Sequence, residues 1–118
     1  MRSAVLKNNL RGVMEKIYMV YVTASGKNEA KIIAKEIVFN RLAACANVSD
    51  KIDSFYWWEN KFEEKAEAAI IFKTRESLLW DLEQEIKNIH SYSCPCIVAM
   101  PIEYVSKEYA EWVIRETS

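Results

Sequence analysis

Four consecutive aromatic residues directly precede a predicted tight turn, and this run constrains the fold more than any other. Aromatic side chains favour the pleated, half-buried surface of a strand, and Asn60 tolerates the left-handed backbone of a tight turn. Successive strand side chains point to opposite faces, so Phe55 and Trp57 face one side and Tyr56 and Trp58 the other. Both faces of the hairpin tip are therefore apolar, and we expect a second copy of the chain to cover them.

The composition narrows the class of protein. A chain of 118 residues is long enough for one domain with its own core. Lys and Arg number 16 against 17 Asp and Glu, a net charge of -1, so we expect no nucleic-acid partner. No apolar run approaches the roughly 18 residues of a membrane span, so we expect no membrane partner. With two glycines, the chain cannot form a glycine-rich phosphate loop.

The cysteines and the first residues bear on location. Three cysteines cannot all pair within one chain, and no secretory signal is recognised, which predicts free thiols in a reducing, cytoplasmic compartment. Residues 1–14 carry basic but no acidic side chains. They are interpreted as a flexible N-terminal extension, with a fragment of a targeting peptide as the alternative. Residues 15–118 are then a single domain.

Hydrophobic periodicity predicts strands and helices in the order β-α-β-β-α-β, followed by a terminal helix. Right-handed crossovers with two helices on one sheet face predict an α+β ferredoxin-like sandwich with an extended hairpin. Ser25 or Asn28, Ser77 and Ser106 are the predicted helix caps. The predicted strands cover residues 16–23, 42–47, 51–61, 62–74 and 96–102, the last as a buried strand, and the predicted helices run from 29 to about 40, from 77 to about 90 and from 106.

Six motifs occur in series along residues 16 to 118. With them the chain resembles the CutA family, named for divalent-cation tolerance. The resemblance implies a compact homotrimer of ferredoxin-like subunits in which the hairpin reaches a neighbouring subunit. The motifs are Thr23-Ala24, Arg41–Asn47, Tyr56–Lys61, Lys73-Thr74-Arg75, His90–Pro95 and Tyr109–Trp112.

The resemblance also implies a function. Family members are associated with tolerance of divalent metals, copper binding is reported for some, and no catalytic reaction is established, so we expect a non-catalytic protein that responds to metal ions. The alternative is a trimeric small-ligand sensor or scaffold, similar in fold to the nitrogen-regulatory PII proteins. Its cleft between subunits would hold a small anion. The residues expected at the trimer interface and cleft are Tyr56, Trp57, Trp58, Lys73 and Arg75.

The candidate metal ligands are His90, Cys94 and Cys96. Imidazole suits Cu(II) and Zn(II), and thiolates suit Cu(I) and Zn(II). The two thiols are two residues apart, so in an extended segment both face the same way. We therefore expect copper or zinc to bind weakly, with no organic cofactor. Val22 and Ile89 stand where some copper-binding relatives have a cysteine and a second histidine.

Other interpretations of these residues stay open. His90 could instead cap the end of the second helix, and Cys94 and Cys96 could be small buried hydrophobes. Cys45 is interpreted as core packing. A cysteine nucleophile with His90 as its base would be the natural enzyme, but no third orienting group is evident. The acidic residues of the hairpin, Glu59, Glu63, Glu64 and Glu67, are interpreted as a solvated face.

Overall fold

The computed structural model describes residues 15–118. Along this part of the chain, a 3-10 turn (Glu76–Leu78) joins the second helix to the strand before it. The predicted α+β class and element order are confirmed, whereas the predicted extension at residues 1–14 lies outside the described residues. The elements are β1 (Ile17–Ala24), α1 (Lys27–Phe39), β2 (Cys45–Trp58), β3 (Lys61–Arg75), α2 (Leu79–Ile89), β4 (Ile97–Pro101) and α3 (Lys107–Glu116).

The described strands form one sheet in the order β2-β3-β1-β4, with each neighbouring pair antiparallel. The central strand β1 is a nearly continuous run of β-branched and aromatic residues, as expected for an interior strand. The prediction that the last strand is buried was wrong. It lies at the sheet edge beside β1, and Val98 and Met100 are exposed.

Helices α1 and α2 cover one face of this sheet. Their buried stripes, which include Ile33 and Ile86, pack against Val20 and Phe72 of the sheet. Ile17 points to the opposite face, where it packs against Val113 of α3. Since α3 is short, it covers the end of that second face near Ile17 and leaves the other end free of helix.

Strands β2 and β3 form a long hairpin. Residues 42–47 and 51–61 were predicted as two strands, but β2 is one strand with a bulge, where Lys51 has φ 58° and the register shifts between Ser49 and Ile52. At the tip, Glu59 (φ 49°) and Asn60 (φ 67°) both adopt the left-handed conformation, as the two central residues of a tight hairpin turn do. The molecule extends 56 Å along its long axis because this hairpin projects beyond β1.

Two of the three predicted helix caps were wrong. Neither Ser25 nor Asn28 caps α1; its N-cap is Gly26, and no side chain caps it. No side chain caps α2 either, because the chain enters this helix through the 3-10 turn. Ser106 does cap α3, its Oγ accepting a hydrogen bond from Tyr109 N at 3.3 Å. None of the helices described has the length and hydropathy of a bilayer span.

Candidate functional site

A cleft of about 600 Å³ lies on the open face of the sheet, beyond the reach of α3. Its floor is the end of β1 at Tyr21 and Thr23 together with hairpin residues on both sides of the turn, within 54–58 and 63–67. Its opposite wall is the loop after α2, from Tyr92 to Cys96. The sheet and the loop are brought together here because β1 pairs with β4, the strand that follows this loop.

Side chains alternate between the two faces of a strand, and this alternation along β2 places two aromatic residues of the hairpin on the cleft side. Tyr56 and Trp58 both line it, and Glu63 lies directly across the strand pair from Tyr56. Trp57, between them, points to the opposite face and makes an edge contact with Phe62 at 5.7 Å between ring centroids. The predicted interface residues are therefore divided between two faces of the hairpin.

Glu67 is the buried acid of the cleft. It is 6% exposed, and its Oε2 accepts a hydrogen bond from the hydroxyl of Tyr92 at 2.6 Å. Burial, followed by this bond and the nearby charge, raises the pKa of Tyr92, so the phenol is neutral at physiological pH. Lys65 Nζ lies 5.1 Å from the centroid of the same ring. The interpretation of Glu67 as part of a solvated acidic face was wrong. Its side chain is buried, and the loop that carries Tyr92 contacts it.

The side chain of His90 is fully buried behind the cleft and is held by two hydrogen bonds. Its Nδ1 accepts from the backbone N–H of Tyr92 at 3.0 Å, so the ring proton lies on Nε2, which donates to the carbonyl of Thr23 at 2.8 Å. The imidazole thus crosslinks β1 and the loop, and both ring nitrogens are occupied. It does not bond to the last carbonyls of α2 through its side chain, although its backbone N–H donates to Ile86 O.

Glu29 reinforces this crosslink, a role that was not predicted from the sequence. Its Oε1 accepts from the backbone N–H of Ser25 (2.9 Å) and from the Ser25 hydroxyl (2.7 Å), and its Oε2 accepts from the N–H of Ser91 (2.7 Å). Burial alone would raise the pKa of Glu29, but these hydrogen bonds outweigh it and lower the pKa to about 2. A Ser followed four residues later by Glu in a first helical turn was the signal available in the sequence.

Cys94 and Cys96 both line the cleft as free thiols, Cys94 exposed and Cys96 half-buried. Burial and then the charge of Glu67 raise the pKa of the Cys96 thiol. Cys45 lies elsewhere, half-buried, with Sγ 3.3 Å from the hydroxyl of Tyr109. Burial and this contact raise the pKa of Tyr109 to about 12. Among residues 15–118, no three His, Cys, Asp or Glu side chains are grouped as metal ligands.

Lys73 and Arg75 do not line the cleft with the aromatics. They lie near the other end of β3, where Lys73 donates to Asn47 Oδ1 at 2.7 Å. Arg75 donates to the carbonyl and the hydroxyl of Thr117 and to Glu15 Oε1, all within 2.9 Å. Arg75 therefore joins the end of β3 to the residues before β1 and after α3, and the cation inside the cleft is Lys65.

The fold and the cleft define a small α+β protein with one open sheet face and a cleft lined by aromatic rings and thiols. Residues 18–116 match the family described as CutA1 divalent ion tolerance protein, so the chain belongs to this family. The resemblance inferred from the motifs is thereby confirmed, and with it a general link to divalent-cation tolerance.

Two relatives show how far the similarity extends. The divalent-cation tolerance protein CutA of Archaeoglobus fulgidus is 45% identical over 94 residues, which are 80% of this chain and 91% of that protein. The chloroplastic CutA 1 of Oryza sativa subsp. japonica is 42% identical over 99 residues, 84% of this chain and 56% of that protein.

Solved structures match along most of the chain. The crystal structure of CutA1 from Oryza sativa has a TM-score of 0.86 at 40% identity and covers 89% of this chain and 96% of that one. The structure described as the periplasmic divalent cation tolerance protein CutA from Archaeoglobus fulgidus has a TM-score of 0.83 at 41% identity, covering 86% and 99%.

Proposed function

We propose that this protein serves divalent-cation tolerance as a non-catalytic homotrimer that binds a thiophilic cation, copper or zinc, weakly in its cleft. The observation that carries the proposal is the pair of free thiols, Cys94 and Cys96, lining one cleft. Thiolate sulfur is the donor in proteins that favours Cu(I) and Zn(II) over Mg²⁺ or Ca²⁺. Two sulfurs without a third ligand nearby would give a weak site, and the cation would complete its coordination with water or another ligand.

His90 remains a predicted third ligand, but its geometry weighs against that role. To coordinate a metal, Nε2 would have to release the carbonyl of Thr23, and the proton would have to move to Nδ1, which now accepts from Tyr92 N–H. The fully buried ring is better suited to holding the thiol-bearing loop in place. The same two bonds support the non-catalytic assignment, because each ring nitrogen is paired with the backbone and neither is paired with a cysteine.

Calorimetric titration with Cu(I), Zn(II) and Mg(II) tests the metal site. Wild-type protein should bind the first two weakly and Mg(II) not at all, and the double substitution Cys94→Ser/Cys96→Ser should abolish binding. Binding should also weaken as the pH falls, since protons compete for the thiolates and the pKa of Cys96 is already raised. The substitution Cys45→Ser is the matched control, because this thiol lies outside the cleft. Unchanged binding in the double variant would rule out the thiols as ligands.

A ferredoxin-like, trimeric assembly is proposed on two observations. The strand order β2-β3-β1-β4 with two helices on one face agrees with the ferredoxin-like arrangement. Large hydrophobic side chains of the hairpin, Phe55, Trp57 and Phe62, are exposed in the single chain. A patch of this kind on a soluble chain marks an interaction surface.

We propose a cytoplasmic location, since the three cysteines are free thiols and such thiols persist in reducing compartments. Tagged protein recovered in the cytoplasmic fraction of the source cells would support it.

The competing function, a small-ligand sensor, is favoured by the size and aromatic walls of the cleft. Its anion-binding version loses support because Lys73 and Arg75 are engaged elsewhere.

A further inference from the structure

We infer that residues 1–14 dock on the outer surface at the start of α2 in the same chain. Their apolar side chains cover the exposed ring of Trp80, and their basic side chains pair with the acidic residues beside it. This surface lies on the helix side of the sheet, whereas the cleft lies on the open face. The docked segment is therefore independent of the thiols and of the hairpin.

Two large aromatic side chains are exposed at one end of the layer formed by α1 and α2. Trp80, in the first turn of α2, is 68% exposed, and Phe39, the last residue of α1, is 85% exposed. The two helices contact each other and run antiparallel, because Glu29 at the start of α1 bonds to Ser91 beyond the end of α2. The end of α1 therefore lies beside the start of α2. One exposed hydrophobic residue is ordinary on a protein surface, but two aromatic rings at one end form a patch suited to a partner.

Residues 1–14 join the domain at this same end. Glu15 Oε2 accepts a hydrogen bond from the backbone N–H of Ser77 at 2.6 Å, and its Oε1 accepts from Arg75 Nη1 at 2.9 Å. Ser77 precedes Trp80 by three residues, which is about one helical turn. Fully extended, residues 1–14 span at most about 45 Å, whereas the 11 residues of α2 rise about 16 Å. The segment therefore reaches all of α2, and its covalent connection gives it a high effective concentration there.

The segment and the surface carry opposite charges. Residues 1–14 contain three basic side chains and no acidic one, a side-chain charge of +3. Residues 76–89 contain four acidic side chains and one lysine, a side-chain charge of -3. Within residues 15–118, neither Glu76 nor Asp81, the acids that flank Trp80 in sequence, forms an ion pair. The basic segment supplies the missing positive charge.

The apolar residues of the segment match the aromatic patch. Leu6, Leu10 and Val13 are separated by four and three residues, the spacing of side chains that share one side of a helix. Amphipathic segments of this kind bind apolar surfaces through residues so spaced. A basic amphipathic segment also suits an anionic lipid surface, but an acidic and aromatic surface beside Glu15 favours docking on the domain itself.

Hydrogen–deuterium exchange of the full chain, measured by mass spectrometry, tests the docking. A synthetic peptide of residues 1–14 gives the exchange rates of the free segment. We expect the amides of residues 5–13 to exchange about tenfold more slowly in the protein than in the peptide. Trp80→Gln and Leu10→Asp should each restore rates within about twofold of those of the peptide. Asp81→Asn, and 1 M NaCl with the wild-type chain, should each remove part of the protection because they weaken the charge attraction.

Two matched controls separate docking from general effects of substitution. Asn9→Asp adds the same charge to the segment as Leu10→Asp but removes no apolar side chain. Ile32→Gln replaces another exposed hydrophobic residue, 64% exposed on α1, away from the start of α2. Both variants should keep the wild-type protection of residues 5–13. Exchange in the rest of the chain should be unchanged in all of these variants, since every substituted position in the domain is exposed.

Three results would overturn the inference. The first is exchange of residues 5–13 in the wild-type chain at the rates of the free peptide. The second is protection that Trp80→Gln leaves unchanged, or that Tyr104→Gln removes instead, at the exposed tyrosine before α3. The third is protection that appears only after vesicles of phosphatidylglycerol and phosphatidylcholine are added, which would make the partner of the segment an anionic membrane.

Discussion

At the scale of single residues, Glu29 and His90 hold the loop that carries the cleft thiols. Glu29 accepts hydrogen bonds from Ser25 at the end of β1 and from Ser91 in the loop. His90, which directly precedes Ser91, donates a hydrogen bond to the carbonyl of Thr23 in β1. Because both residues join the same two segments, the position of Cys94 and Cys96 depends on an acid that lies outside the cleft.

Glu29→Gln should lower the free energy of unfolding at pH 7 by about 1–3 kcal/mol, because an amide replaces a charged acceptor of three hydrogen bonds. The folded-state pKa of Glu29 is about 2, below its ordinary value of 4.5. A lowered pKa means that the carboxylate stabilises the fold above about pH 4.5 and that this contribution is lost as the pH falls towards 2. Urea unfolding at several pH values should therefore show the wild-type and variant curves converging in acid.

The matched control for Glu29 is Glu103→Gln, at an exposed acid in the segment before α3. It should unfold like wild type at every pH. A Glu29→Gln difference that persisted unchanged below pH 3 would mean that the charge of Glu29 is not what stabilises the loop.

At the scale of elements, the hairpin depends on two residues in the left-handed conformation at its tip, Glu59 and Asn60. Asn60→Val should lower the free energy of unfolding by about 1–2 kcal/mol, because the left-handed conformation is costly for a β-branched residue. Asn60→Gly should be neutral or stabilising. Urea midpoints measure both. Lys61→Val is the control, since Lys61 lies in β3 with strand geometry, and an Asn60→Val midpoint equal to that of the control would contradict the turn assignment.

The order and type of the secondary-structure elements were predicted from the sequence more accurately than their register and burial. The continuous apolar run of β1, the alternation in β3 and the helical stripes are local patterns, so strands and helices were found in the right order. The bulge at Lys51 was missed because it arises from the register between β2 and β3. The apolar run of β4 suggested burial, but hydrophobic content alone does not distinguish an edge strand from a central one.

The candidate site was predicted less completely. The thiols and the hairpin aromatics were expected to have functional roles, and Tyr56 and Trp58 do lie in the same cleft as Cys94 and Cys96. Glu67 was missed because a group of acidic residues near a hairpin turn looks solvated in the sequence. Whether a carboxylate at such a position is buried depends on what covers it from outside the strand, here the loop with Tyr92.

At the scale of the whole molecule, the two faces of the hairpin have different surroundings. Tyr56 and Trp58 face the cleft, whereas Trp57, at 71% exposed, lies on the other face with Phe62, and Phe55 is exposed at the border of the cleft. Burying an aromatic side chain contributes about 1.5–3 kcal/mol. Three such residues in each chain would supply enough free energy of burial for a stable contact between subunits. A long exposed hairpin without such a contact would be prone to aggregation.

We therefore predict that light scattering of the purified protein gives about three times the chain mass of 13.7 kDa. Trp57→Ala should remove a central contact of each interface, shift the scattering mass towards that of one chain and destabilise the assembly by about 3–5 kcal/mol per chain. Trp80→Ala is the matched control, because Trp80 is equally exposed, at 68%, but lies on α2 away from the hairpin. That variant should stay trimeric. A wild-type monomer at micromolar concentration, or a Trp57→Ala protein that stays trimeric and melts like wild type, would show that this face of the hairpin is not a subunit interface.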